Sequence, residues 1–385
     1  MTRVHLDYAS ATPALPEVRA AVGQALEEGG NPSSIHHAGR WAAERLARAR
    51  AQVAALIHAE TDEVFFTSCG TEANTWALRG LLAARRKGAH LIVSAIEHPS
   101  VGLAARRLEM EGVRVTILPV DGEGVVSAAA LNAALTTDTA LVSVMLANGE
   151  VGTVEPIAEL AAMAHAQGAL FHTDAVAAAG HLEIDVNALG VDALSLAADQ
   201  WYGPPGAAAL YVREGVRILP LLEGGGQEAG GRSGTEALPA IVGMGVAAEL
   251  ALSRLPQRIA HARRLRDRLR EGLTQRLEGL RVMGSWSARL PHTLHLCVEG
   301  VSSESLVRGL DEAGIAAGLG SACNAKAMRP SHVLKAMGLT EAQAAGALVL
   351  SVGETTTDDE IARALEIIPQ VVQRLRRVTA LTLRA

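Results

Sequence analysis

Short apolar runs alternate along this chain with stretches of helical period, the pattern of strands joined by crossover helices in a mostly parallel sheet. Strands are predicted at Val64–Thr67, Leu91–Ile96, Val113–Val120, Ala140–Leu146, Ala169–Thr173, Ala193–Leu196 and Ala207–Val212. Helices are predicted between them at Trp41–Ile57, Glu72–Arg85, Pro99–Met110 and Ile157–Ala166. A long, Arg-rich amphipathic helix is expected over Pro256–Leu280, its charges forming a solvated face. It marks the crossing into a smaller region with strands near Thr293–Val298 and Ala347–Val352. Thr357 and Glu360 have the spacing of a capping box that opens the last helix. There is no internal repeat, and the glycines at 224–226 and 230–231 make a flexible loop rather than a linker.

At 385 residues the chain suits a large domain plus a smaller one, drawn at 13–255 for the large domain and 1–12 with 256–385 for the small one. With 49% hydrophobic residues it can bury an extensive core, yet no run approaches the roughly 18 apolar residues that span a bilayer. The start, MTRVHLDYAS, lacks the apolar segment of a secretory signal, and three cysteines make no disulfide framework. A soluble protein of the reducing cytoplasm is therefore expected. The net charge of −6 gives no support for nucleic-acid binding. Lysine occurs only as Lys87, Lys326 and Lys335, so few side-chain amines are on offer.

Eight motifs run in order through the sequence: LDYASATP at 6–13, GNPSSIHHAGR at 30–40, FTSCGTEAN at 66–74, EHPSV at 97–101, NGEVGT at 148–153, FHTDAV at 171–176, GGGQEAGGRSGTE at 224–236 and GSAC at 320–323. Together they resemble the cysteine desulfurases of the NifS/IscS type, within class V of the fold-type I aminotransferases, over nearly the whole chain. The resemblance implies an α/β fold with a mostly parallel seven-stranded sheet, a smaller α+β domain and pyridoxal phosphate as cofactor. It also implies a dimer that works in sulfur or iron–sulfur metabolism and passes sulfur to an acceptor or scaffold protein.

Several site residues follow by matching motifs. Gly70 and Thr71 match a phosphate site at a helix start, where free backbone N–H groups hold anions; a plain cap is the alternative for Thr71. Asp174 matches the carboxylate that pairs with the pyridine nitrogen and makes the ring an electron sink; alone it would read as a helix cap. His98 matches the histidine that stacks on the ring and handles protons, against a buried structural histidine. Asn148 falls among the cofactor contacts, and Thr235 matches a residue that reaches the neighbouring subunit's phosphate, with a turn residue as its alternative. Cys323 matches the nucleophile that takes sulfur as a persulfide, with Lys326 three residues on to lower its pKa; an inert buried thiol is the other reading. Cys297 reads as core, and Cys69 stands where the resemblance has glycine.

The departures cluster on the same contacts. Residues 194–206 read LSLAADQWYGPPG, and the lysine that binds the cofactor covalently is Gln200. An amide nitrogen, its lone pair delocalised into the carbonyl, neither makes that bond nor shuttles a proton. Ala177, Ala197, Asp199 and Gly149 replace four further cofactor-side residues, while Val349 and Glu354 fall where arginines are expected, one of them the grip on the substrate carboxylate. Loss of a positioned general base alone costs about 10²–10⁴ in rate. Three readings follow: a desulfurase homologue that keeps Cys323 and binds the cofactor without a covalent link or not at all; a non-catalytic scaffold or regulatory subunit pairing with an active paralogue; or an enzyme of this cofactor class acting on a less anionic substrate.

Overall fold

The computed structural model describes residues 3–85, 90–320 and 331–382. The chain opens with β1 (Val4–Leu6), α1 (Pro16–Glu28) and α2 (His37–Leu56), then alternates β2 (Val64–Thr67), α3 (Gly70–Ala83), β3 (His90–Ser94), α4 (Pro99–Met110) and β4 (Arg114–Leu118). It continues through α5 (Ala128–Ala134), β5 (Thr139–Ser143), α6 (Ile157–Ala166), β6 (Leu170–Asp174), α7 (Val186–Leu189), β7 (Ala193–Ala197) and β8 (Ala208–Val212). Strands β2 to β8 form one seven-stranded sheet in the order β2-β8-β7-β6-β5-β3-β4. From β7 to β4 all neighbours run parallel, whereas β8 is antiparallel to both β2 and β7.

Both faces of the inner strands are covered, so β3, β5, β7 and β8 are buried throughout, whereas the edge strand β4 leaves Arg114 and Ile117 exposed. Alternate side chains go to opposite sides. Leu91, Val93, Leu141 and Leu210 pack with Trp76, Leu78 and Leu81 of α3. Ile92, Val142, Leu194 and Tyr211 pack on the other face with Val53 of α2, Leu160 of α6 and Met244 further along the chain. The seven strands expected from the sequence are the seven of this sheet, each displaced at its ends by no more than a few residues.

One helix departs from expectation. The Arg-rich helix begins at Leu238, not Pro256, and ends at Arg276, making α8 (Leu238–Arg276) continuous through Pro256. A proline leaves the carbonyl four residues back without its N–H. That carbonyl belongs to Leu252, which is exposed, so water can serve it. Leu280 lies outside the helix, beyond Gly279 at φ 63°, in strand β9 (Leu280–Met283). Helix α8 also carries a stretch of mean hydropathy 1.4 that by length and composition is long and apolar enough to cross a bilayer. Half of that stretch is buried, and Ile241, Met244, Ala247 and Ala248 belong to the larger core, as in a helix packed inside a protein.

Farther along, Ala262, Leu265, Leu269 and Leu273 of the same helix enter a second core. That core is built on β10 (Thr293–Val298), α9 (Ser303–Glu312), β11 (Ile315–Ala317), β12 (Ala347–Ser351) and α12 (Asp358–Thr382), with the short helices α10 (His332–Ala336) and α11 (Glu341–Ala344) beside it. Its sheets are the antiparallel set β12-β10-β9 and the parallel pair β1-β11. The capping box at the start of α12 is present: Thr357 N donates to Glu360 Oε2 at 2.7 Å and Glu360 N to Thr357 Oγ1 at 3.2 Å.

Candidate active site

In open parallel sheets, ligands bind beyond the carboxyl ends of the strands. Here the segments after β3, β5 and β7 supply Glu97 and His98, Asn148 and Glu150, and Asp199 and Gln200, and the end of β6 supplies Asp174, to one cavity of about 360 Å³. Gly70 and Thr71 from the start of α3 also line it, as do Gly318 just after β11, His332 of α10 and Val349 of β12. Cys323 and Lys326 lie outside the described residues.

Asp174 is the last residue of β6 and is buried. Its Oδ2 accepts from Asn74 Nδ2 at 2.6 Å and its Oδ1 from Val176 N at 2.9 Å. Burial raises its pKa, opposed by the Val176 N–H, the charge of His98 and the Asn74 amide. Asn74 Nδ2 also donates to Ser100 Oγ at 2.9 Å, and Ser100 Oγ is 2.7 Å from His98 Nδ1. Because Ser100 Oγ accepts from Asn74, its own hydrogen serves His98 Nδ1, which also accepts from Ser100 N at 3.2 Å. A neutral His98 ring therefore carries its hydrogen on Nε2. Asp174 and His98, expected as separate contacts, are two ends of one hydrogen-bonded path.

Helix α3 starts at Gly70, with Cys69 as an N-cap whose side chain makes no capping bond. Thr71 is thus inside the first turn rather than before the helix. The first intrahelical bond runs from Ala73 N to Cys69 O at 3.1 Å, leaving the N–H groups of Gly70, Thr71 and Glu72 for other partners. Gly70 is required by packing, since a Cβ there would stand 2.8 Å from Val176 Cγ2.

Asn148 is buried in the wall, yet its polar atoms are committed: Oδ1 accepts from Glu150 N and Val151 N, both at 3.0 Å, and Nδ2 donates to Ile96 O at 3.0 Å. These bonds hold the turn between Asn148 and Val151 in shape. Thr235 does not line the cavity; it is exposed on the glycine-rich loop, which Glu228 anchors by accepting from Arg50 Nη1 and Nη2, each at 2.7 Å. Ala177, Ala197, Asp199 and Val349 all line the cavity. Glu354 does not, being held by Arg254 at 3.0 Å and Arg258 at 2.8 Å. Cys297 is core, its thiol pushed up to about 11 by burial, and Cys69 is exposed at the cavity.

Three lining residues were passed over in the sequence. Glu97 accepts from Ser94 Oγ at 2.6 Å and Met145 N at 2.9 Å, and burial pushes its carboxyl up to about 8. Burial takes Glu150 to about 7, and Asn74 carries the path above. Each stands inside a quoted motif, EHPSV, NGEVGT or FTSCGTEAN. For Glu97 and Glu150 a carboxylate beyond an apolar strand was the available signal, whereas Asn74 lies inside α3, where no such signal exists.

The sequence pattern described as aminotransferase class-V matches residues 4–363. The chain belongs to that family. A cysteine desulfurase IscS of Methanosarcina thermophila is 43% identical over 98% of this chain and 94% of its own. Among solved structures, a NifS-like protein matches with a TM-score of 0.91 at 33% identity, covering 97% of this chain and 100% of that one. A second, SspA in complex with cysteine, matches at 0.82 and 33% identity over 92% of this chain and 100% of the other. The class-V enzymes and their cysteine desulfurases depend on pyridoxal phosphate, which fixes the fold type of this chain as well.

The class-V cofactor can be tested against the residues present. Its ring end fits: a buried acceptor on Asp174, held by Asn74, stands with His98 in one cavity, and the group bound there supplies an electron sink. Among the described residues its attachment end finds no amine in the cavity. Gln200 Nε2 donates to Ser10 O at 3.2 Å, and Gln200 O lies 3.0 Å from His181 Nε2. Lys335, the one lysine among the described residues, pairs with Glu341 at 3.0 Å and is absent from the cavity wall. Asp199 adds a carboxylate whose pKa burial raises.

Proposed function

We propose that this class-V protein carries sulfur on Cys323, receives it from an active desulfurase, and mobilises little or none from free cysteine by itself. The observation that carries the reading is Gln200 in the cavity with Asp174, its amide bonded to the Ser10 carbonyl. With no lysine among the described lining residues, the covalent route from free cysteine lacks its amine at residue 200. Transfer in trans needs neither the amine nor an oxidant. The Cys323 thiolate attacks the outer sulfur of the donor's persulfide, the donor's S–S bond breaks, and its thiolate leaves and takes up a proton. Cys323 is left as a persulfide for an acceptor of sulfur or iron–sulfur metabolism.

A dimer, of two copies or with an active paralogue, belongs to this reading. The exposed position of Thr235, away from its own cavity, favours a role in a partner's site.

Incubation with an active desulfurase and cysteine, followed by an alkylating mass tag and peptide mapping, tests the proposal. Persulfide on Cys323 with negligible sulfide release by the purified chain is expected. Label on Cys69 or Cys297 without Cys323, or robust sulfide release by the chain alone, would overturn it.

A further inference from the structure

Trp286 stands on the loop between β9 and β10, 42% exposed, with three guanidinium groups around its ring. Arg270 Cζ lies 4.4 Å from the ring centroid, Arg289 Cζ 4.5 Å and Arg266 Cζ 5.0 Å. One cation on an indole is a favourable contact, but three share the attraction of a single ring while repelling one another. Burial and the charges of Arg266 and Arg270, opposed by Asp267, bring Arg289 down to about 10, which still leaves it protonated at neutral pH.

Local acids answer only part of this charge. Asp267 accepts from Arg266 Nε at 2.9 Å and Nη2 at 2.8 Å, and Glu271 accepts from Arg270 Nη2 at 3.0 Å. Arg289 and the exposed Arg263, one turn before Arg266 on α8, pair with no carboxylate among the described residues. The residues outside the described ones contain no aspartate or glutamate. Four arginines therefore share two carboxylates.

The hydrogen bonds point the same way. Arg289 Nε, Arg289 Nη1 and Arg270 Nε are buried donors that find no acceptor among the described residues. A buried N–H left unpaired costs free energy, and unpaired donors beside surplus positive charge call for an anion. Arg289 Nη2 is used elsewhere, donating to Val151 O at 3.3 Å and Thr293 O at 3.2 Å. These bonds set the cluster against the turn that carries Glu150 to the cavity.

We infer that Trp286, Arg289 and the arginines at 263, 266 and 270 form a docking surface for an acidic segment of a partner protein. The layout favours a chain over a small ion. Arg263 and Arg270, seven residues apart on one helix face, are separated by about 10 Å along the axis. Carboxylates on alternate residues of an extended segment stand about 7 Å apart, so one segment can answer several of these cations where a free phosphate answers one group of donors. The exposed indole beside them offers such a segment an apolar contact, and tryptophan and arginine are the residues that most often dominate protein interfaces. Because the unpaired N–H groups are covered, an incoming carboxylate reaches them as Trp286 moves aside.

That movement makes Trp286 the reporter. The full chain labelled with 5-fluorotryptophan carries four fluorinated indoles, and Trp286→Phe assigns the resonance. The probes are a hexapeptide alternating glutamate and leucine, its glutamine counterpart and inorganic phosphate. The acidic peptide is expected to shift the Trp286 resonance, to bind about tenfold or more tighter than the glutamine peptide, and to weaken as salt rises. Arg270→Gln, at a half-buried position, should weaken it several-fold, whereas Arg48→Gln, beside Glu249 toward the other end of α8, should leave it unchanged. An unmoved Trp286 signal, a glutamine peptide that binds as well, or an Arg270→Gln variant that binds no more weakly than Arg48→Gln would overturn the inference. So would phosphate that moves the signal as strongly as the peptide, which would mark a site for a free ion.

Discussion

Gln200 and Ser10 are joined by a hydrogen bond, 3.2 Å from the Gln200 side-chain nitrogen to the Ser10 carbonyl. It ties the segment after β7 to the N-terminal segment through a group that resists nucleophilic chemistry. In Gln200→Lys an amine faces the same cavity as Asp174 and His98. Pyridoxal phosphate added to the parent is expected to leave on dialysis, whereas the variant should retain it and yield a borohydride-fixed adduct on residue 200. Retention by the parent, with an adduct on Lys326 or Lys335, would show that another amine serves.

Asn74 holds both Asp174 and Ser100 through one amide nitrogen. Asn74→Ala removes both bonds and strands a buried carboxylate oxygen, for an expected loss of about 1–3 kcal/mol in chemical denaturation. Asn74→Asp sets two carboxylates together and should lose more at neutral pH, with part of the loss recovered on acidification as one of them protonates.

Stability should fall on both sides of slightly acidic pH. Burial holds Glu97 near 8 and Glu150 and Glu155 near 7, so the native state keeps protons that the unfolded chain releases above its ordinary 4.5; stability drops as pH rises toward 8. Burial holds His172 near 3 and His181 and His295 near 4, so below 6.5 the unfolded chain binds protons that the native state refuses, and stability drops as pH falls. Between about 4.5 and 6.5 the two trends oppose each other. Melting temperatures across the range should show both limbs, and Glu97→Gln should flatten the alkaline one.

Gly70→Ala places a Cβ 2.8 Å from Val176 Cγ2. The expected loss is about 1–3 kcal/mol. Val176→Ala combined with it should recover much of that loss, which a double-mutant cycle by denaturant titration measures.

The parallel sheet was legible because its strands are short, mostly apolar runs separated by helical stretches, the inner ones buried throughout. Strand β1 was not, since Val4 and Leu6 flanking an exposed His5 give only three residues of alternation. The extent of α8 was hidden by Pro256, a local stop signal overridden by apolar packing on both sides of it. At the site, motif matching brought Gly70, Thr71, His98, Asp174 and Gln200 to one cavity. It could not reveal that Asn148 is consumed by backbone bonds, one of them to Ile96, 52 positions away, or that Asn74 reaches Ser100 and Asp174, 26 and 100 positions away, because those relations form only when the strands and helices come together.

Helix α8 acts as a common beam, its first half embedded in one core and its second in the other. A beam shared in this way leaves no hinge in that stretch, and melting that starts at either end runs along one hydrogen-bond ladder into its neighbour. A chain opened between Leu255 and Pro256 would yield two fragments, each with a raw apolar helix face matched to the other. Such fragments should be poor at folding apart and able to complement each other when mixed.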